Sequence, residues 1–218
     1  TRYLKQAGFS YSHAFMAQVL RNHPALTRML IDLFKARFDP AVKTREAEVA
    51  KISLQLALGL EAVTNLADDT VIRRIEALIM ASLRVNYYQR DAQGNQKGYL
   101  SVKFRSAEVP ELPLPVPYAE IFVTSMRVDG IHLRGGTVAR GGLRWSDRPE
   151  DFRTEVLGLM KAQMVKNAVI VPQGAKGGFV LRKSPENRDA LLQEGIECYK
   201  EFLRGLLDIT DNIVGDQI

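Results

Sequence analysis

The chain is poor in reactive side chains. Its 218 residues hold one cysteine, one tryptophan and three histidines. A lone Cys198 excludes an internal disulfide, and a reducing cytoplasm is the plain expectation. No histidine lies near it in sequence, so a buried structural role is expected rather than a catalytic thiol. His13 and His23 have no partner at metal-ligand spacing, which leaves solvent or helix-end roles and no metal site. No apolar run approaches the roughly 18–20 residues of a membrane span, and the N-terminus lacks the layout of a signal peptide. Repeats and low-complexity tracts are absent. So is a G-x-G-x-x-G turn, so no dinucleotide fold is claimed within these residues. A P-loop fails too, because Ile170 stands where its first glycine belongs and Gly177 follows the lysine.

What is there is ordinary in bulk and uneven in detail. A hydrophobic share of 46% and a charged share of 25% suit a soluble globular protein. The net charge is +5. Residues 134–183 alone carry 10 Lys+Arg against 4 Asp+Glu, a surplus of +6, so the rest of the chain sums to −1. Positive charge confined to one glycine-rich stretch points to a small-anion site, whereas a nucleic-acid face spreads its charge more widely. The stretch contains two arginine-glycine-glycine turns, at 134–136 and 140–142. Their composition is that of disordered RNA-binding segments, but they are embedded in apolar, periodic sequence.

Residues 1–90 read as a helical segment. Leu26, Met29, Leu30, Leu33 and Phe34 recur at helical spacing behind Pro24, and Asp39-Pro40 ends that helix. Val49, Ile52, Leu56, Leu60 and Val63 continue the period, then Val71, Ile72, Ile75, Leu78, Ile79 and Leu83. Past a polar loop at 91–98 the period becomes two. Residues 99–104, 120–126 and 131–134 read as strands, with four prolines between 110 and 117 stiffening a connector. The fold class is therefore α/β (α+β), a helical front followed by a mixed-sheet domain over 99–218.

Asp147 and Glu150 fit a D-x-x-E capping box for a helix over 148–166. On it Phe152, Val156, Leu159 and Gln163 share a face, Lys166 lies near its edge and Lys161 projects opposite. Gln163 and Lys166 either line a cleft or mark where the helix emerges into water. Residues 168–171 read as a buried strand, and QGAKGG (173–178) as the loop beyond its carboxyl end, where α/β sheets bind ligands. Lys176, held among glycines near other cations, is a candidate for proton transfer; a plain glycine turn with a solvated lysine is the alternative. A last helix opens at Ser184-Pro185, with Leu192, Ile196, Tyr199, Leu203 and Leu206 as its packing stripe.

The run ARGGLRWSDRPEDFRTEVLGLMKAQMVKNAVIVPQGAKGGFV resembles the signature of the large bacterial NAD-dependent glutamate dehydrogenases. EIFVTSMRVDGIHLRGG and DITDNIVGD resemble its flanks, and the likeness covers about 99–215. The run is also similar to the smaller hexameric glutamate dehydrogenases, with their K-G-G-x-R turn, Q-x-x-K helix end and G-A-K-G-G loop. By that resemblance Arg140, with Gly141 and Gly142, would hold the substrate's side-chain carboxylate. Gln163 and Lys166 would hold the α-carboxylate, and Lys176 would be the catalytic lysine. Arg140 stands where the small enzymes carry a lysine, exchanging a point charge for a fork, and the Lys166–Lys176 interval is two residues shorter. The reaction implied is conversion of L-glutamate and NAD to 2-oxoglutarate and ammonium. NAD would be bound by a domain not within this chain, and the full-length enzyme would be a homo-oligomer without nucleic-acid or membrane partners. A chain that starts at Thr1 reads as a piece of something longer, catalytically silent by itself. Its rivals are a non-catalytic anion-binding regulatory module and, behind that, an RNA binder.

Overall fold

Periodicity places the helices of the front, but Leu83, expected on a helical stripe, lies in a strand, so the last of these helices ends at Ala81 rather than near residue 90. The computed structural model describes residues 1–166 and 173–210. The chain divides into two units, Thr1–Ser82 with Glu108–Pro113, and Leu83–Ala107 with Leu114–Ile218.

The first unit is helical: α1 (Arg2–Gln6), α2 (His13–Asn22), α3 (Pro24–Phe38), α4 (Arg45–Leu60) and α5 (Leu66–Ala81). Ser12 caps α2 by accepting from the Phe15 amide, and Asn65 caps α5 by accepting from Ala67 and Asp68. Pro24 sits in the first turn of α3, where its missing N–H costs nothing. Leu26 and Leu30 of α3, Leu56 and Leu60 of α4, and Val71 and Ile72 of α5 join Leu4, Met16 and Val19 in one core. His23 ends α2 and is bonded to Asp68 at 2.8 Å.

Among the described residues the second unit is built on seven strands: β1 (Ser82–Val85), β2 (Tyr99–Phe104), β3 (Ala119–Ser125), β4 (Val128–Arg134), β5 (Ala139–Arg140), β6 (Leu143–Trp145) and β7 (Gln173–Leu181). The sheet order is β1-β2-β3-β4-β7-β5, with β6 also pairing β7. β2 pairs β3, β3 pairs β4 and β4 pairs β7, each antiparallel. β5 and β6 lie parallel to β7 along its other edge, making the sheet mixed. The unit's described residues also form two helices, α6 (Phe152–Lys166) and α7 (Arg188–Leu207).

Side-chain alternation puts those helices on opposite faces. A Cβ on Gly178 would meet Val156 of α6, whereas its neighbour Phe179 packs with Phe202 and Cys198 of α7. Cys198 is fully buried, and burial followed by the Glu194 carboxylate pushes its thiol up to about 12. The C-terminal end of α7 is tied down by Asp208, which accepts from Asn86 at 3.0 Å and pairs with Lys97 at 2.6 Å.

Three expectations need correction. QGAKGG is not a loop but the first two-thirds of β7, because it is paired on both edges, to β4 and to β5 and β6. The capping box at Asp147 and Glu150 does not start α6, which begins at Phe152. Instead Arg148 pairs with Asp151 in a turn, and the Arg148 amide donates to Ser146 Oγ at 3.1 Å. The stripe expected on α7 holds only at its C-terminal end: Leu206 is buried and Leu203 packs against the core, but Leu192, Ile196 and Tyr199 are 56%, 40% and 42% exposed, and Gly195, Cys198, Phe202 and Gly205 form the rest of the buried face. The strand expected over 168–171 lies outside the described residues.

Candidate functional site around strand β7

The two arginine-glycine-glycine turns converge on the first half of β7. The Gly135 amide donates to the Gly174 carbonyl at 2.9 Å, and a Cβ on Gly136 would collide with the Gln173 side chain. The second turn runs alongside. The Gln173 amide donates to Val138 at 3.2 Å, and the Gly177 amide to the Gly142 carbonyl at 3.2 Å. A Cβ on Gly141 would overlap the Ala175 carbonyl, so only glycine allows this approach. Charge, glycine and strand pairing therefore have one cause. The turns bring their arginines to the edge of a strand that itself has little side-chain bulk.

Helix α6 supplies the other wall. Gly174 and Gly178 face it, with Gln163 over the first and Val156 over the second. Lys176 lies between those two glycines and therefore shares their face. It is half-buried and stands opposite Leu133 of β4. Gln163 also reaches across to β5, its Nε2 donating to the Arg140 carbonyl at 3.1 Å. The structure thus gathers Arg140, Gly141, Gly142, Gln163 and Lys176 at one place. Lys166 is exposed at the last residue of α6, one turn beyond Gln163. Lys161 is exposed as well, and helical phase turns it away from the strand that Gln163 faces.

Three supports of this site were not singled out from the sequence. Glu155 of α6 accepts from Arg144 at 2.9 Å and from Ser146 Oγ at 2.5 Å, which clamps β6 to the helix. Arg153 of α6 is paired with Glu120 of β3, both side chains having 0% exposure. A lone acid inside the apolar strand AEIFV was the available signal, because such a charge requires a partner. The third is His132, opposite Gly177 and on the face away from Lys176. Burial, and then the charge of Arg134, pulls its imidazole down to about 4, so it is neutral at physiological pH.

Among the described residues the parallel strand–helix–strand unit is β6-α6-β7. Its strand-to-helix turn, 146–151, contains Asp147, Glu150 and Asp151 and no glycine. The same turn holds Arg148, which is paired with Asp151. The described residues contain no His/Cys/Asp/Glu group able to hold a metal ion. None of their helices is long and apolar enough to cross a membrane.

The model of the family described as bacterial NAD-glutamate dehydrogenase, catalytic domain, matches residues 55–218. That match covers most of the chain and all of the site. The chain belongs to the bacterial NAD-glutamate dehydrogenases. A second model, glutamate dehydrogenase helical motif 3, matches residues 1–40. An NAD-specific glutamate dehydrogenase of Halomonas elongata is 54% identical over 219 residues, covering 100% of this chain and 14% of that protein. Those of Pseudomonas aeruginosa and Mycobacterium tuberculosis are 53% and 49% identical, each covering 97% of this chain and 14% of the relative. The chain thus spans about 14% of the length of these NAD-specific glutamate dehydrogenases.

Proposed function

We propose that this chain supplies the glutamate-binding residues and the catalytic lysine of an NAD-dependent glutamate dehydrogenase, which converts L-glutamate to 2-oxoglutarate and ammonium. The observation that carries the reading is the meeting of Gln163 with the Arg140 carbonyl beside the strand bearing Lys176. In this reading the Arg140 guanidinium holds the side-chain carboxylate, a task for which its planar fork is suited. Gln163 and Lys166, from the end of α6, hold the α-carboxylate. Two clamps on a dianion fix its α-carbon and amino group against Lys176, and orientation of that kind lowers the barrier. Once the α-carbon has given up its hydride, for which NAD would be the acceptor, Lys176 moves protons as water adds to the resulting imine carbon and ammonia leaves. In this reading NAD is held by a domain outside this chain.

The test uses the full-length enzyme. Lys176→Ala lowers kcat by roughly 10²–10⁴-fold with little change in glutamate binding. Arg140→Ala instead raises KM for glutamate by about tenfold to a hundredfold, the equivalent of one lost charged hydrogen bond. Near-normal turnover by Lys176→Ala sinks the assignment. The 218-residue chain alone, mixed with glutamate and NAD, gives no reduced cofactor above a heat-killed control.

A further inference from the structure

The helical unit holds a cavity of about 240 Å³ that the proposed reaction does not use. It is lined in part by Phe9, Ser10 and Tyr11 of the α1–α2 link, Thr70 and Arg74 of α5, and Glu111. The volume equals about eight water molecules at roughly 30 Å³ each, which is room for a small organic acid. Two rings (Phe9 against Tyr11, centroids 5.2 Å apart) give it an apolar side, and its lining includes the hydroxyl-bearing Ser10, Tyr11 and Thr70, the last donating to the Leu66 carbonyl at 2.7 Å.

Arg74 is the anchor. Its side chain is only 11% exposed, and its Cζ lies 5.1 Å from the centroid of the Phe9 ring. Nη1 donates to the Pro110 carbonyl at 2.6 Å, and Nη2 meets Glu111 Oε2 at 2.6 Å. Glu111 is an unusual partner. Its side chain is 80% exposed, and its backbone has φ +58, the left-handed region that a residue with a Cβ enters at a cost. A nearly buried guanidinium is thus matched by a carboxylate that stays largely in water, on a backbone conformation costly for a residue with a Cβ. Such a carboxylate is easily exchanged, and the cavity lies beside it.

We infer that this cavity is a binding site for a small organic carboxylic acid, whose carboxylate replaces that of Glu111 on Arg74. The body of the ligand then packs between the Phe9 and Tyr11 rings and α5, and a second polar group meets the hydroxyls. Glu111 acts as a tethered competitor that holds the site in its empty form. This site is independent of the proposed reaction, since none of its residues belongs to the strand, helix or turns around Lys176.

The test is an amide NMR titration of the 218-residue chain with succinate, following Gly8, Phe9, Ser10 and Tyr11. Succinamide and sulfate serve as the uncharged and the non-carboxylate controls. Saturable shifts confined to this cavity are expected with succinate alone. Glu111→Gly removes the competitor and accepts φ +58 without strain, so it tightens succinate binding roughly tenfold, as vacating a site filled about 90% of the time does. Arg74→Lys, which keeps the charge but loses the fork, weakens it severalfold. The inference is overturned if sulfate or succinamide produces the same shifts, or if Glu111→Gly leaves the affinity unchanged. Absence of saturable shifts in both the parent chain and Glu111→Gly overturns it as well.

Discussion

Arg153 and Glu120 meet as a two-pronged ion pair, Nε to Oε2 at 2.9 Å and Nη2 to Oε1 at 2.6 Å, with both side chains wholly out of water. Through this pair α6 is held to β3, two strands away from the strand it covers. Removing one partner leaves a buried charge behind. Glu120→Gln should therefore cost about 3–5 kcal/mol in unfolding free energy, read from urea denaturation. The double change Glu120→Leu with Arg153→Met should recover most of that loss, because the desolvation penalty disappears with both charges. A loss below about 1 kcal/mol in the single variant would mean that water reaches the pair.

His132 makes stability depend on pH. Its folded-state value lies near 4, below the ordinary 6.5, because burial and Arg134 oppose the charged form. Its contribution is therefore present above about pH 6.5 and is lost as the pH falls toward 4. The size is at most about 3 kcal/mol, at 1.36 kcal/mol per pKa unit. Urea midpoints at pH 7 and pH 4.5 measure it, and His132→Gln should flatten the difference between them. An equal slope in both proteins would place the effect on other groups.

Two adjacent glycines should behave in opposite ways. A Cβ on Gly141 overlaps the backbone of Ala175, which cannot yield while β7 is paired on both edges. Gly141→Ala should lower stability by about 2 kcal/mol or more, whereas Gly142→Ala should stay within about 0.5 kcal/mol. No atom lies within 4 Å of a Cβ on Gly142. Thermal melts of both variants decide, and equal shifts would mean that the turn sits differently against β7.

The thiol of Cys198 should resist alkylation. It is fully buried and held in its neutral form by burial and by Glu194. Iodoacetamide at pH 8 should leave the native chain unmodified by mass spectrometry and label it fully in urea. Labelling of the native chain at the rate of a free thiol would show that α7 opens readily.

What the sequence made legible depended on whether one face of an element is apolar and the other polar. β2 at Tyr99–Phe104 and α3 at Pro24–Phe38 have that form, and their expected and observed positions agree. β7 does not. Its glycines read as a turn, but Gly174, Gly177 and Gly178 are each pressed by a neighbour, Gln163, Leu143 and Val156 in turn. The strand is bare because its surroundings are full, and no local pattern records that. α7 misled for a related reason. Trp145 occupies the space over Gly195, and Ser101 and Val123 that over Gly205, so the helix buries its small residues and leaves larger ones outside. At the site, the Gln163 face could be read from helical phase. The contact with Arg140 could not, since it ends on a backbone carbonyl 23 residues away.

Placing Lys176 within a strand rather than on a loop decides which side has to travel. Its backbone is stitched to β4 on one edge and to the glycine-rich turns and β6 on the other, so it cannot swing toward a bound molecule without tearing the sheet. The Cα of the lysine is a fixed post, and only its flexible side chain can adjust. In the proposed reaction the substrate would therefore have to arrive within one side chain's reach of that Cα. Changes that loosen the far wall should leave the position of this Cα untouched.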